Sequence, residues 1–155
     1  MGSEMCIRDS EGLTLRIASR STGDGGRVTT FTDITDLKET QKKLHQQANY
    51  DYLTGIANRS YYVVRLQEAL AAAKRHGHKV ALMQFDLDKF KQVNDTLGHD
   101  VGDELLITTA KRIKTNLREF DLAARIGGDE FAAILDHVST EEEVEATADL
   151  SLIHI

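Results

Sequence analysis

Two apolar runs separated by a glycine turn constrain the fold of this chain most strongly. DLAARI and EFAAIL enclose the residues GGD at positions 127–129. Apolar runs so close together, with glycines between them, are typical of a tight β-hairpin. The turn also brings two carboxylates, Asp129 and Glu130, to its tip. The sequence predicts a hairpin with an acidic tip, which is compatible with a ligand site and equally with an ordinary solvent-facing turn.

The residues before this hairpin predict a turn, a helix and a strand. DYLTGIANR at 51–59 is rich in turn formers, and a helix is predicted from Ser60 to His76, with Gly77 as its C-terminal stop. The nearly continuous apolar run KVALMQFDL at 79–87 predicts a buried central strand. The apolar face of the helix is expected to contain Leu66, Ala69, Leu70 and Ala73.

Two more helices are predicted before the hairpin and one after it. FKQVNDTLG has a polar helical pattern that Gly98 ends, and a longer helix is predicted over residues 100–118. Ser139 or Thr140 is expected to open the last helix, which has acids in its first turn. This order of elements predicts an α/β domain with helices layered on a central sheet. The buried stripe of the longer helix is expected to be Leu105, Leu106, Ala110, Ile113 and Leu117.

The first third of the chain has a different pattern. Residues 13–32 contain two β-rich runs around TGDGG, which predicts two antiparallel strands. Asp33 is a plausible N-cap for a following helix. That helix is either a weak coiled coil or a single amphipathic linker. The residues that form its seam are Ile34, Leu37, Gln41, Leu44 and Ala48.

Composition excludes several classes of protein. The formal net charge of −6 lacks the basic footprint of a general nucleic-acid-binding protein. No apolar run approaches the roughly 20 residues that span a bilayer. The start of the chain has no secretory signal pattern, and its single cysteine, Cys6, cannot form an internal disulfide. We therefore expect a cytoplasmic location.

Asp86 is a further acid that is a candidate for a functional role. It ends the predicted buried strand, where an isolated carboxylate is costly unless it meets a cation. If this strand lies beside the hairpin, Asp86 converges with Asp129 and Glu130 at one edge of the sheet. Such an all-oxygen set suits Mg²⁺ or Mn²⁺. The alternative is an exposed acid at a strand end or a helix cap.

Three motifs in this order resemble the GGDEF domain of diguanylate cyclases. They are DYLTGIANR, FDLDKFKQVNDTLGHDVGDELL and GGDEF at 127–131, and the likeness covers residues 51–150. The preceding RVTTFTDITDLKETQKKL is similar to the closing strand of a PAS sensor domain that leads into its signalling helix. The expected organisation is a non-native leader at 1–10, PAS-like strands at 11–33, a linker helix at 34–50, a partial GGDEF domain at 51–150 and a non-native tail at 151–155.

The resemblance implies both a fold and an activity. The implied fold is α+β, similar to the nucleotidyl cyclase and polymerase palm, with a mostly antiparallel central sheet flanked by helices. The implied activity is a metal-dependent condensation of two GTP into cyclic di-GMP, with release of two pyrophosphates. Each protomer of a homodimer holds one GTP, and the 3′-hydroxyl of one attacks the α-phosphate of the other.

The resemblance also implies roles for individual residues. Asp86, Asp129 and the backbone carbonyl of Leu87 would hold Mg²⁺ or Mn²⁺. Asp129 is favoured as the acceptor of the hydroxyl proton, with Glu130 as the neighbouring alternative, and Lys91 would stabilise phosphate charge. The implied substrate-binding residues are Phe90, Asn94, His99, Asp103 and Gly128. Among these, Asn94 and Asp103 would read the guanine edge, whereas His99 is either a nucleotide contact or a loop residue that packs beneath the site.

REFD at 118–121 matches the family's RxxD motif, at which the product binds and inhibits the enzyme. Arg118 would contact phosphate or the guanine Hoogsteen edge, and Asp121 would accept from the guanine amino group. A surface ion pair between these two residues is the alternative interpretation.

The family domain normally continues beyond the hairpin, through later strands and a lysine-bearing YxAK segment. We therefore expect the C-terminal part to be missing here, an exposed sheet edge, and poor activity of this piece alone. Membrane association is expected only through upstream segments. Two functions remain open, an active cyclase and a non-catalytic module that binds GTP or cyclic di-GMP.

Overall fold

The computed structural model describes residues 3–8, 12–23, 25–140, 142, 144, 145 and 147. The chain divides into two compact units, Met1–Gln46 and Gln47–Ile155. The first unit contains a three-stranded antiparallel sheet in the order β1-β2-β3. Its strands are β1 (Ser3–Arg8), β2 (Thr14–Ser21) and β3 (Arg27–Asp33).

The β2–β3 hairpin confirms the prediction for residues 13–32. Gly25 has a positive φ of 84°, as its turn requires, whereas Asp24 lies outside the described residues. Strand β1 falls in a segment in which no periodicity was visible. Strand pairing uses backbone groups, so it does not need a regular side-chain pattern.

Helix α1 (Thr35–Asn49) begins where Asp33 was predicted to cap it. The Asp33 carboxylate accepts the Thr35 N–H at 2.9 Å and the Thr35 hydroxyl at 2.7 Å. These hydrogen bonds lower the pKa of Asp33. Along the predicted seam Ile34 is buried, whereas Leu37 and Leu44 are exposed.

The second unit contains a four-stranded sheet in the order β4-β6-β7-β5. Strand β4 pairs parallel with β6, and the other two pairings are antiparallel. The predicted α+β class with a mostly antiparallel sheet is confirmed. The strands are β4 (Ala57–Asn58), β5 (Lys79–Asp86), β6 (Leu122–Arg125) and β7 (Glu130–Val138).

The prediction that β5 is a buried central strand is wrong for the described sheet. Strand β5 pairs with β7 alone among the described strands, and its residues alternate between buried Met83 and Phe85 and exposed Leu82 and Gln84. An apolar run does not distinguish an edge strand from a central one. The central position belongs to β7, which is buried continuously from Phe131 to Leu135.

This unit contains the helices α2 (Arg59–His76), α3 (Phe90–Leu97) and α4 (His99–Thr115). Asn58 caps α2 by accepting the Tyr61 N–H, and Gly77 ends it with a φ of 74°. The expectation that Leu70 faces the core is wrong, because its side chain is 51% exposed. The half-buried stripe follows Leu66, Ala69 and Ala73, which leaves Leu70 beside it.

Helix α4 covers one face of the sheet. Leu106, Ala110 and Ile113 are buried in a cluster with Phe131 and Phe85, as the predicted stripe requires. Leu105 and Leu117 are partly buried against this cluster, although the helix ends at Thr115, before Leu117. Burying a side chain as large as Phe131 contributes roughly 1.5–3 kcal/mol.

The end of the chain is described in part. Residues 142, 144, 145 and 147 are helical, in agreement with the predicted last helix, and its other residues and the expected tail at 151–155 lie outside the described residues. Within the described part of the chain, none of the helices has the length and apolar character needed to cross a membrane.

Candidate active site

The turn between β6 and β7 is closed by backbone hydrogen bonds. The carbonyl of Glu130 accepts the N–H groups of Ile126 at 2.9 Å and Gly127 at 3.3 Å. Neither glycine of the pair has a positive φ, so conformational freedom is not why glycine is needed here. A Cβ at Gly127 would collide with the Glu130 carboxylate, whereas a Cβ at Gly128 would meet nothing within 4 Å. The backbone at Gly128 therefore borders open space.

Strand pairing brings the three predicted acids to one edge of the sheet. Asp86 is the direct cross-strand partner of Glu130, which places both side chains on one face. The Leu87 N–H donates to the Asp129 carbonyl at 3.3 Å. Like charges opposite one another are destabilising unless a cation neutralises them. Asp86 is exposed, and Asp129 and Glu130 are half-buried. In the described structure the three carboxylates do not bring their oxygens within 4.8 Å of one another, so a cation here would require these side chains to move together. Carboxylate oxygen is the ligand type that a hard divalent ion prefers.

The carbonyl of Leu87 accepts the Phe90 N–H at 3.2 Å, which uses one of its two lone pairs. Between them, Lys89 has a φ of 60°, an uncommon value for a residue with a side chain. This left-handed residue turns the chain from β5 into α3. Lys91 then lies exposed in the first turn of α3.

Arg125 holds the acidic turn through hydrogen bonds, and the sequence pattern did not predict a role for this residue. The Arg125 guanidinium donates to the Gly128 carbonyl from Nη2 at 2.7 Å and from Nε at 3.2 Å. Its Nη1 donates to Asp51 Oδ1 at 3.2 Å. Arg125 therefore links the GGDEF turn to the turn-rich segment that precedes α2. The sequence feature that could have indicated this role is the position of Arg125, two residues before the glycine pair.

Asp51 is fixed by its own turn as well. Its Oδ1 accepts the Thr54 N–H at 2.9 Å and the Thr54 hydroxyl at 2.6 Å. Burial would raise the pKa of Asp51, but the hydrogen bonds from Thr54 and the charge of Arg125 outweigh burial and lower it. Asp51 is therefore held as an anion that orients Arg125.

The α3–α4 corner brings the Asn94 side chain against Gly102. Gly102 is buried, and a Cβ there would collide with Asn94 Oδ1 and lie 3.4 Å from the Phe90 ring. Asn94 Oδ1 is buried with no hydrogen-bond partner among the described residues. A buried acceptor of this kind is costly unless a ligand supplies a donor.

The other predicted residues of this corner differ in exposure. Asp103 is exposed, one residue after Gly102. His99 is exposed at the first position of α4 and does not pack beneath its neighbours. Phe90 is partly buried against the hydrophobic core, so it supports the corner from within.

The RxxD residues form a separate local structure. Asp121 Oδ2 accepts the Arg118 N–H at 2.9 Å, and Oδ1 accepts the Asp136 N–H at 3.1 Å. The guanidinium of Arg118 lies 5.9 Å from the centre of the Phe120 ring. Arg118 and Asp121 line a cavity of about 350 Å³ that also contacts Tyr50, Lys114 and Leu122.

The fold and this site define a mixed α+β domain with an acidic, glycine-bearing sheet edge. At its α3–α4 corner the Asn94 amide oxygen is buried without a hydrogen-bond partner among the described residues. A family model described as "Diguanylate cyclase, GGDEF domain" matches residues 48–154. The chain belongs to this GGDEF family.

Individual relatives agree with this assignment. Diguanylate cyclase TpbB of Pseudomonas aeruginosa is 42% identical over 113 residues, which are 73% of this chain and 26% of that protein. Cyclic di-GMP phosphodiesterase NbdA of the same species is 39% identical over 109 residues, 70% of this chain and 14% of NbdA. The chain therefore spans about a quarter or less of the length of these two relatives.

A solved structure shows the same architecture. The coiled coil and GGDEF domain of DgcB from Caulobacter crescentus, in complex with c-di-GMP, superposes with a TM-score of 0.72 and 32% identity. The superposition covers 76% of this chain and 61% of that one.

Proposed function

We propose that the protein containing this chain is a diguanylate cyclase that condenses two GTP into cyclic di-GMP and two pyrophosphates. The observation that carries the proposal is the cross-strand pairing of Asp86 with Glu130, which gathers carboxylates at the open edge beside Gly128. TpbB, a diguanylate cyclase by name, shares 42% identity over the matched region.

The acidic edge is proposed to hold Mg²⁺ or Mn²⁺ through Asp86, Asp129 and the Leu87 carbonyl. The bound ion neutralises phosphate charge. Asp86 supplies an exposed carboxylate, and the Leu87 carbonyl retains one lone pair beyond its bond from Phe90. Arg125 holds the Gly128 carbonyl, so the turn carrying Asp129 is positioned before substrate arrives.

We propose a chemical step that uses these residues. The 3′-oxygen of one GTP forms a bond to the α-phosphorus of the other, and the bond from that phosphorus to pyrophosphate breaks. The remaining 3′-hydroxyl then attacks the other α-phosphorus in the same way, which closes the ring and releases the second pyrophosphate. Asp129 accepts the hydroxyl proton, with Glu130 as the alternative acceptor. Lys91, exposed on α3, is proposed to stabilise phosphate charge.

Guanine is proposed to bind at the α3–α4 corner. Asn94 Oδ1 accepts a hydrogen bond from the base, which removes the penalty of leaving this oxygen unpaired. Asp103 accepts from the N1–H and the amino group. His99 lies exposed at the start of α4, where it is available to contact the nucleotide.

The reaction needs two protomers, so we propose a homodimer. The exposed Leu37 and Leu44 of α1 support pairing through that helix. We further propose that residues 11–33 are the end of a PAS-like sensor domain, that residues 34–50 transmit its signal, and that the protein is cytoplasmic. The antiparallel β2–β3 hairpin followed directly by α1 supports this interpretation.

Product inhibition is proposed at Arg118 and Asp121, beside the cavity of about 350 Å³. Asp121 already accepts two backbone N–H groups, so Arg118 is expected to supply most of the ligand contact. Arg118→Ala should leave initial turnover intact and relieve inhibition by cyclic di-GMP. Arg75→Ala, which removes an exposed arginine from the last turn of α2, is the matched control. Inhibition that persists in Arg118→Ala would exclude this site.

A non-catalytic binding module is the second candidate. The similarity to NbdA, named as a phosphodiesterase, favours it, because a GGDEF sequence can occur in a protein named for another activity. Such a module would bind GTP or cyclic di-GMP without turnover. Tight nucleotide binding by a metal-loaded dimer that forms no product would select this candidate.

The deciding experiment measures cyclic di-GMP formation from GTP by the full-length protein with Mg²⁺. Asp129→Ala should abolish turnover and metal-dependent GTP binding. Asp100→Ala, which removes another exposed carboxylate from the first turn of α4, should retain both. Unchanged turnover in Asp129→Ala would remove this residue from the mechanism.

A further inference from the structure

We infer that His78, Asp136 and His137 form a binding site for a transition-metal ion such as Zn²⁺. The three residues lie at the end of β5 and β7 opposite the GGDEF turn. One ligand atom from each lies within 4.8 Å of the others, and among the described residues this trio is the cluster that meets such a criterion. The inference is independent of the proposed cyclase activity.

The distances converge on one carboxylate oxygen. Asp136 Oδ1 lies 2.8 Å from His78 Nε2 and 3.3 Å from His137 Nδ1. The two imidazole rings are stacked, with centroids 3.8 Å apart. Zinc bonds to imidazole nitrogen and carboxylate oxygen at about 2.0–2.2 Å, so the two rings must turn out of their stack until their nitrogen lone pairs point at one ion.

Within the described part of the chain, the close polar contact of the His78 side chain is with the Asp136 carboxylate. The His78 side chain is 12% exposed, and both ring nitrogens are buried without a hydrogen-bond partner in the described structure. The contact between Nε2 and Asp136 is short enough for an ion pair but does not have hydrogen-bond geometry. A buried imidazole that makes no hydrogen bond is costly, and metal coordination would satisfy it.

The backbone is shaped to bring these side chains together. The β5–β7 register shifts here. Lys79 pairs with Val138 and Ala81 pairs with Leu135, so β7 has one more residue than β5 between these two pairs. Within this bulge His137 has a positive φ of 55°. Neighbouring strand residues normally point to opposite faces, whereas the bulge brings Asp136 and His137 to the same side.

The donor set indicates the class of metal. Two imidazoles and one carboxylate suit Zn²⁺, Co²⁺, Ni²⁺ or Cu²⁺ better than Mg²⁺, which prefers oxygen ligands. Three protein ligands leave a fourth position for water. This chemistry differs from the all-oxygen set at Asp86 and Asp129, so each end of the ladder selects its own ion.

Metal binding at this site would also affect the RxxD segment (118–121), which contacts two of the three ligand residues. The Asp136 N–H donates to Asp121 Oδ1 at 3.1 Å, and the His137 ring meets Phe120 edge-on at 6.3 Å. Fixing Asp136 and His137 therefore also restrains the turn that carries Arg118 and Asp121.

The test is a calorimetric Zn²⁺ titration of the 155-residue chain, with excess Mg²⁺ present to occupy oxygen-only sites. All variants carry Cys6→Ser, which removes the single thiol. The parent should bind one Zn²⁺ per chain, and Co²⁺ should give the visible absorption of a four-coordinate ion. His78→Gln and His137→Asn should each weaken Zn²⁺ binding at least about tenfold.

His45→Gln is the matched control, since it removes a histidine from α1 and should bind Zn²⁺ as the parent does. His137→Asn is decisive if His78→Gln fails to fold, because His137 is exposed and asparagine tolerates a positive φ. The site is disproved if the parent binds no stoichiometric Zn²⁺, if His137→Asn binds as tightly as the parent, or if His45→Gln loses binding equally.

Discussion

The two ends of the β5–β7 ladder hold carboxylates in contrasting surroundings. At one end Asp86 pairs across the strands with Glu130, next to a glycine turn that borders open space. At the other end Asp136 contacts two stacked imidazoles at a bulge. The same backbone ladder thus presents oxygen donors alone at one edge and mixed nitrogen and oxygen donors at the other. The strands determine the spacing of these donors, and the side chains determine their chemistry.

The ends also differ in how they are supported. Arg125 reaches from β6 to Gly128 and Asp51, so the acidic turn is held by charge and by hydrogen bonds. The histidine end is held by ring stacking and by the bond from the Asp136 N–H to Asp121. Rigid support of the turn suits a site that must position a reacting group.

The largest predicted effect tests whether both ends depend on one core. Phe131 is fully buried between them, one residue after Glu130. Phe131→Ala should lower the free energy of unfolding by about 3–5 kcal/mol, because it leaves a cavity in the hydrophobic core cluster. Urea denaturation followed by circular dichroism measures this change.

Tyr52→Ala is the matched control for Phe131→Ala, since Tyr52 is an aromatic residue that is 95% exposed. It should change the free energy of unfolding by less than about 0.5 kcal/mol. A loss below about 1 kcal/mol in Phe131→Ala would mean that the two ends do not share this core.

An intermediate effect on stability is predicted at the α3–α4 corner, where guanine is proposed to bind. Gly102→Ala forces a methyl group against Asn94 Oδ1, and overpacking of a buried position costs about 1–3 kcal/mol. The same displacement of Asn94 should weaken GTP binding. Urea denaturation and GTP titration of the variant measure the two losses.

Gly128→Ala provides the contrast for Gly102→Ala. A Cβ at Gly128 meets nothing within 4 Å, and this glycine has no positive φ, so stability should be unchanged. GTP binding should still fall if the nucleotide approaches the turn backbone. Full GTP affinity in Gly128→Ala would show that the open space at the turn is not used by the nucleotide.

The elements that define the acidic end were predictable because their signals are local. The apolar runs around GGD predict the hairpin, and Gly77 and Gly98 end their helices with positive φ values as expected. Placing Asp86 beside the hairpin required one further assumption, that β5 pairs with β7, and the register agrees with it. Family resemblance supplied the roles of individual residues, which the sequence pattern alone left open.

The remaining features were not predictable because they depend on distant contacts. Arg125 and Asp51 are 74 residues apart in sequence, and no local pattern connects them. The histidine end needs a bulge that adds one residue to β7, and the apolar run before Asp136 gives no sign of it. The position of β5 at the sheet edge depends on which strands pair, and the apolar content of a strand does not encode that choice.

The smallest predicted effect concerns the support of the acidic turn by Asp51. The pKa of Asp51 is lowered in the folded protein, so its contribution to stability is fully present above the ordinary value of about 3.9. That contribution is lost as the pH falls through the lowered pKa. The difference in unfolding free energy between the parent and Asp51→Asn should therefore be constant near neutral pH and shrink below about pH 4.

Urea denaturation of both proteins from neutral to acidic pH measures this difference. Thr54→Val removes the hydroxyl that donates to Asp51 at 2.6 Å but keeps the backbone donor and Arg125, so its stability loss should be intermediate. A difference between the parent and Asp51→Asn that grows as the pH falls would contradict the lowered pKa. Equal stability of the parent and Asp51→Asn at neutral pH would mean that the turn is held by Arg125 and the Gly128 carbonyl alone. The ion pair with Asp51 would then contribute less to the acidic end of the ladder than its geometry implies.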